Sequence, residues 1–144
     1  MTEREMVCLA LLGLLAALCA APATAADEPK AFACSFTSGI SNSYDKGRYV
    51  PEKASPFAFG IAGIDAAAQT AEIKTERGSG PLRVVQAVNA MHFLEAANEG
   101  FINLTTIYDK DEAKGAYPAV HSRHFAILGQ PVVTQYQGFC EAKG

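Results

Sequence analysis

The stretch AMHFLEAANEGFINLTTIY, residues 90 to 108, is two alternating runs hinged on Asn98-Glu99-Gly100. Alternation with period two marks half-buried strands. A glycine closing a three-residue connection suits the left-handed conformation that such hairpins need. The hinge predicts a register: Ala96 opposite Ile102, Leu94 opposite Leu104, His92 opposite Thr106. One face then collects His92, Leu94, Ala96, Ile102, Leu104 and Tyr108, and the other carries Phe93, Glu95, Asn103 and Thr105. The first face is the more apolar, so it is expected to look towards the core and to take His92 with it.

A second hairpin follows the same logic. Gly129-Gln130 is a glycine-first, type II′ turn candidate, and it pairs Ile127 with Val132, Phe125 with Thr134, Arg123 with Tyr136 and His124 with Gln135. His121, Arg123, Phe125, Ile127, Val132 and Tyr136 share one face, with Ser122, His124, Gln135 and Gln137 on the other. A one-residue slip would exchange the two faces.

Outward from these hairpins the pattern repeats. Strands are expected over Phe32–Ser41, Phe57–Ile64, Thr70–Thr75, Leu82–Val88, Ala90–Ala96, Phe101–Tyr108, Val120–Leu128 and Val132–Cys140. Asp45-Lys46-Gly47, the Arg77–Pro81 segment and Gly129-Gln130-Pro131 punctuate them as turns. No window beyond residue 30 carries a helical period, and Asp65–Ala68 has room for one helical turn at most. The class is all-β: a single antiparallel β-barrel or β-sandwich of about eight short strands.

The N-terminus reads differently. Val7 to Ala21 is an uncharged apolar run, followed by Pro22 and the small-x-small site Ala23-Thr24-Ala25. The run is short for a spanning helix and lacks a charged stop-transfer flank, which is the pattern of a cleaved secretory signal. Residues 1–25 are therefore expected to be removed, leaving an exported domain over 26–144 in the periplasm or outside the cell, with no membrane span after cleavage. Glu3, Arg4 and Glu5 make a poor positive n-region, and a start at Met6 would remove that anomaly.

The whole chain of 144 residues carries a net charge of −3, and without Glu3, Arg4 and Glu5 it has 11 Lys+Arg against 13 Asp+Glu. That balance excludes the basic footprint of a nucleic-acid binder. Cys8 and Cys19 leave with the leader. Cys34 and Cys140 remain, and in an oxidising compartment a lone pair reads as a disulfide tying the two ends of the domain.

One polar cluster stands out. Arg123 beside Tyr136 offers a bidentate donor and a ring face suited to a carboxylate or another anion. With His92 and His121 these residues form the candidate ligand site. Metal binding is not expected: His121 and His124, three apart on a strand, point to opposite faces, and no Cys, Asp or Glu completes a tetrahedral set. Asp109–Glu112 departs from a calcium loop, with Gly115 one place late and Val120 where a glutamate is needed. Ser122 has no G-x-S-x-G elbow around it, so a hydrolase is the weakest reading. No glycine-rich phosphate loop is present, and no cofactor is implied. Small exported barrels of the lipocalin kind are an architectural comparison only, since the chain has no Trp for that family's G-x-W start. The expectation is a non-catalytic exported β-domain binding a small molecule or an envelope component; the alternative is an accessory or inhibitor module that meets a protein partner through a sheet edge.

Overall fold

A computed structural model describes residues 28–96 and 100–144. The expected leader and its cleavage point, like Ala97, Asn98 and Glu99 of the hinge, lie outside the described residues. Among the described residues nine strands follow in order: β1 (Ala31–Asp45), β2 (Arg48–Lys53), β3 (Phe57–Asp65), β4 (Thr70–Thr75), β5 (Gly78–Gln86), β6 (Ala90–Ala96), β7 (Ile102–Tyr108), β8 (Tyr117–Ile127) and β9 (Gln130–Lys143).

Every pairing is antiparallel, and β1 closes the sheet by pairing with β9 from Ala31–Lys143 to Ser43–Val132. The result is a closed eight-strand barrel plus one extra strand, which decides between barrel and sandwich. Closure removes the free edges that an open sheet would present. Among the described residues, no helix is long and apolar enough to cross a membrane.

The extra strand is β2, which sequence patterning does not reveal. One edge of β1 is shared: β3 covers Phe32–Phe36 and β2 covers Ile40–Asp45. The Lys46-Gly47 turn, with φ of 47° and 86°, folds β2 back on β1. Pro51 is tolerated because β2 lies at the margin of the sheet. Ala54 N–H still donates to Gly39 O at 3.0 Å, and the chain then re-enters the barrel at Phe57 after Pro56. The Asp65–Ala68 segment is a turn, with Ala68 N–H donating to Asp65 Oδ1 at 2.9 Å, and forms no helix.

The first hairpin keeps the predicted register: Ala96 opposite Ile102, Leu94 opposite Leu104, His92 opposite Thr106. Gly100 is left-handed, at φ 82°. The predicted faces, however, are exchanged. Phe93 is 1% exposed and Asn103 and Thr105 are buried, whereas Ile102 is 50% and Leu104 38% exposed. His92 accordingly sits half-buried on the outer wall and not in the core. The barrel interior narrows to fit a few bulky rings, so one Phe outweighs several aliphatics in deciding which face turns inward.

The second hairpin turns one residue earlier than predicted. Leu128 and Gly129 both have positive φ (50° and 84°), a type I′ turn, so Ile127 faces Gln130 and Phe125 faces Val132. The register therefore differs by two, placing Arg123 opposite Thr134 and His121 opposite Tyr136. An even shift preserves the faces, so these residues share one face as expected, and it is the inward one, with His121 and Tyr136 buried.

The lumen is filled. Phe36, Phe93, Ile61 and Val84 are fully buried, with the Phe36 ring 5.1 Å from Phe57 and 5.6 Å from Phe59. Phe32 packs edge-on to Tyr117 at 5.1 Å at the far end. Cys34 and Cys140 lie directly opposite each other on the β1–β9 seam and are joined, Sγ to Sγ, at 1.99 Å. The predicted disulfide thus staples the seam that closes the barrel.

Candidate functional site

A β-bulge between Phe36 and Ser38 changes which residues of β1 point inward. Phe32, Cys34 and Phe36 face the lumen before it; Gly39, Ser41 and Ser43 do so after it, paired with Tyr136, Thr134 and Val132. This change of parity puts Gly and Ser where Phe and Cys stand before the bulge, at one end of the barrel, its mouth.

The pairings run a single row of residues around that mouth. Ser41 lies opposite Thr134, Thr134 opposite Arg123, Arg123 opposite Asn103, and Asn103 opposite Glu95. Directly opposed residues share a face, so the row is a polar belt across five strands. Below it lie Tyr136, His121, Thr105 and Phe93, again opposed in series. Above it Phe125 and Val132 form an apolar lip.

Arg123 is the centre of the belt. Its guanidinium carbon lies 4.4 Å from the Phe57 ring centroid and 5.6 Å from that of Tyr136, both within cation–π range. Its Nε–H donates to His121 Nε2 at 3.3 Å. Arginine has no acceptor, so His121 Nε2 is the unprotonated nitrogen. The proton is on Nδ1, which donates to Thr105 Oγ1 at 2.8 Å. Burial, with the Arg123 charge beside it, lowers the His121 pKa to about 3. The ring is therefore neutral, boxed by Phe57 and Phe59 at 5.1 and 5.3 Å.

Beyond Nε, Arg123 makes no side-chain hydrogen bond among the described residues, and no carboxylate lies within 4.0 Å of it. The ion pairs among the described residues are elsewhere, on the surface: Lys74–Glu72, Lys110–Glu112 and Lys143–Glu141. Next in the row, Asn103 Nδ2 donates to Glu95 Oε2 at 2.8 Å, while Asn103 Oδ1 is buried without a partner among the described residues. Thr134 Oγ1 donates to Ser41 Oγ at 2.8 Å and completes that side of the belt.

Of the predicted ligand residues, His121, Arg123 and Tyr136 are brought together. His92 is not: it lies on the outer wall, its Nδ1 2.9 Å from Thr106 Oγ1. Ser122 and His124 also face outward, and Ser122 Oγ accepts from Gln135 Nε2 at 3.5 Å. Sequence reasoning missed Glu95, Asn103, Thr105 and Phe57. The first three were already grouped on one face of the first hairpin; only the direction of that face was misjudged. Phe57 opens an expected strand, but nothing local in the sequence places it against Arg123.

At the opposite end, a groove of about 220 Å³ has a mixed lining that includes Phe32, Met91, Ile107 and Tyr117 together with Glu28 and Asp109. The mouth, by contrast, holds Arg123 and Glu95, neither in an ion pair among the described residues, and the Asn103 Oδ1 acceptor, which has no partner among them. No family model and no curated protein matches the chain.

Proposed function

We propose that the chain is an exported, non-catalytic binding domain whose mouth takes an anionic group, a carboxylate first of all, on Arg123. One observation carries this reading: a half-buried guanidinium within cation–π distance of Phe57 and Tyr136, with its terminal nitrogens lacking any acceptor among the described residues. Such a fork recognises a carboxylate bidentately, and partial burial strengthens the contact relative to water. The filled lumen means that only the charged head of a ligand enters, with the remainder lying across the Phe125–Val132 lip. The leader pattern and the Cys34–Cys140 bond support the exported setting.

Titration calorimetry with acetate, N-acetylglycine and phosphate tests the site. Saturable binding is expected, lost in Arg123→Ala and weakened about tenfold or more in Arg123→Lys, which keeps the charge without the fork. Undiminished binding in a folded Arg123→Ala protein would refute the assignment.

A second reading rests on the outer wall. Leu94, Ala96, Ile102 and Leu104 face outward, and no outward position of β6, β7 or β8 is Asp, Glu, Lys or Arg. A charge-free apolar wall is a surface for a protein partner. Under this reading a partner taken from an envelope extract is released by the double substitution Leu94→Asp, Leu104→Asp; equal retention by that variant counts against it.

A further inference from the structure

We infer that the mouth binds a zwitterion, a free α-amino acid, with its carboxylate on Arg123 and its ammonium on Asn103 Oδ1 and Glu95. The inference rests on the Arg123 reading above and names the ligand class. Three observations converge on it.

The first is the orphan acceptor. Asn103 is 8% exposed, and its Oδ1 is buried with no hydrogen-bond partner among the described residues. The amide cannot be turned round to relieve this, because Nδ2 faces Glu95 Oε2 at 2.8 Å and an oxygen there would oppose a carboxylate. A buried acceptor left unmade is costly, so the site is poised to receive a donor.

The second is the unpaired carboxylate. Glu95 spends Oε2 on Asn103 and has no cation within 4.0 Å among the described residues. Its other oxygen is on the side of Gly80, where a Cβ would lie 3.8 Å from Oε1, so the glycine leaves room beside it. An acceptor and a negative charge side by side select a cationic donor.

The third is spacing. Asn103 and Arg123 are directly opposed on β7 and β8, and Glu95 is opposed to Asn103 on the far side. Opposed side chains start about 4.5–5.5 Å apart. In an α-amino acid the ammonium and carboxylate are carried on one carbon and need just such neighbouring receptors. A simple carboxylate would leave Asn103 Oδ1 unmet and bring a second negative charge near Glu95. A simple amine would face the Arg123 charge.

The test is calorimetric or NMR titration of the oxidised chain with each of the twenty L-amino acids, then with the N-acetyl and carboxamide forms of the best binder. The free amino acid is expected to bind, with each blocked form weaker by about tenfold or more, as for loss of a charge-assisted contact. Glu95→Gln should weaken the free amino acid about tenfold and leave the N-acetyl form unchanged. Because Glu95 is half-buried at the mouth, this variant decides the matter even if Asn103→Leu fails to fold. Equal binding of free and N-acetyl forms, both abolished in Arg123→Ala, overturns the zwitterion and leaves the anion site standing. Binding of neither overturns both. Binding of the free amino acid that survives Glu95→Gln also overturns the inference.

Discussion

Arg123 donates its Nε–H to Nε2 of His121 across 3.3 Å, and this one contact determines the tautomer of a fully buried ring. The consequence is a dependence of stability on pH. His121 has its pKa lowered to about 3 by burial and by the Arg123 charge, against an ordinary value of 6.5. Below pH 6.5 the unfolded chain takes up a proton that the folded ring refuses. Stability is therefore full above pH 6.5 and falls as pH drops towards 3, by on the order of 1 kcal/mol per pH unit. Urea unfolding between pH 6.5 and about 4.5, above the carboxylate range, should show this slope, and His121→Gln should flatten it. Ring ¹⁵N shifts should report a neutral Nδ1–H imidazole at pH 5. A His121 that titrates near 6.5 would contradict the hydrogen-bond scheme.

The disulfide joins opposed residues of the first and last strands, across the seam that makes the sheet a barrel. It closes a loop of sequence separation 106. Reduction, or the double change Cys34→Ala and Cys140→Ala, should cost about 2–5 kcal/mol. Denaturant melts with and without reductant measure it. The loss should be the same by either route, since the staple and not the thiols carries the effect.

The faces of the first hairpin can be read by paired substitutions. Phe93→Ala empties a filled lumen and should cost about 3–5 kcal/mol. Leu94→Thr, one residue along but on the outer wall, should cost no more than about 0.5 kcal/mol. Comparable losses at the two positions would restore the face that a count of aliphatic residues favours.

That hairpin marks the limit of what was legible. Alternation and turn residues are local, so the eight strands other than β2, the Ala96–Ile102 register and the Cys34–Cys140 pairing could be read directly. The direction of a face is not local. Leu94, Ala96, Ile102 and Leu104 outnumber Phe93 in apolar residues, yet the inside of a small barrel admits few side chains and is filled best by rings. The polar partners Glu95 and Asn103 follow Phe93 inward because strand geometry leaves them no choice. For the second hairpin the glycine-first reading displaced the turn, but the displacement was even, so Arg123, His121 and Tyr136 kept their face. The bulge after Phe36 had no local mark, and without it neither Ser41 nor the mouth could be placed.

Gly138 holds that bulge, and a single methyl group should undo it. It is opposed to Phe36, at the point where the β1–β9 register shifts. A Cβ at 138 would sit 2.8 Å from Phe36 Cα and 2.9 Å from its Cδ1, and would also run into the Ser35 carbonyl oxygen. Two of those obstacles are backbone and cannot rotate away, so Gly138→Ala forces the seam itself to move. The expected cost is about 3 kcal/mol or more, at the upper end for overpacking. Gly47→Ala is the control: its φ of 86° strains any side chain, but nothing lies within 4 Å of the added carbon, and the cost should be about 1–2 kcal/mol. If the seam of Gly138→Ala instead slips by one residue to escape the clash, Ser41 turns outward and Ile40 inward. The belt then loses the Thr134–Ser41 contact, and carboxylate binding at Arg123 should fall in a protein that still folds. Denaturant midpoints and the acetate titration, run on the same two variants, separate these outcomes. Equal stability of the two variants with unchanged binding would show that the bulge does not depend on Gly138.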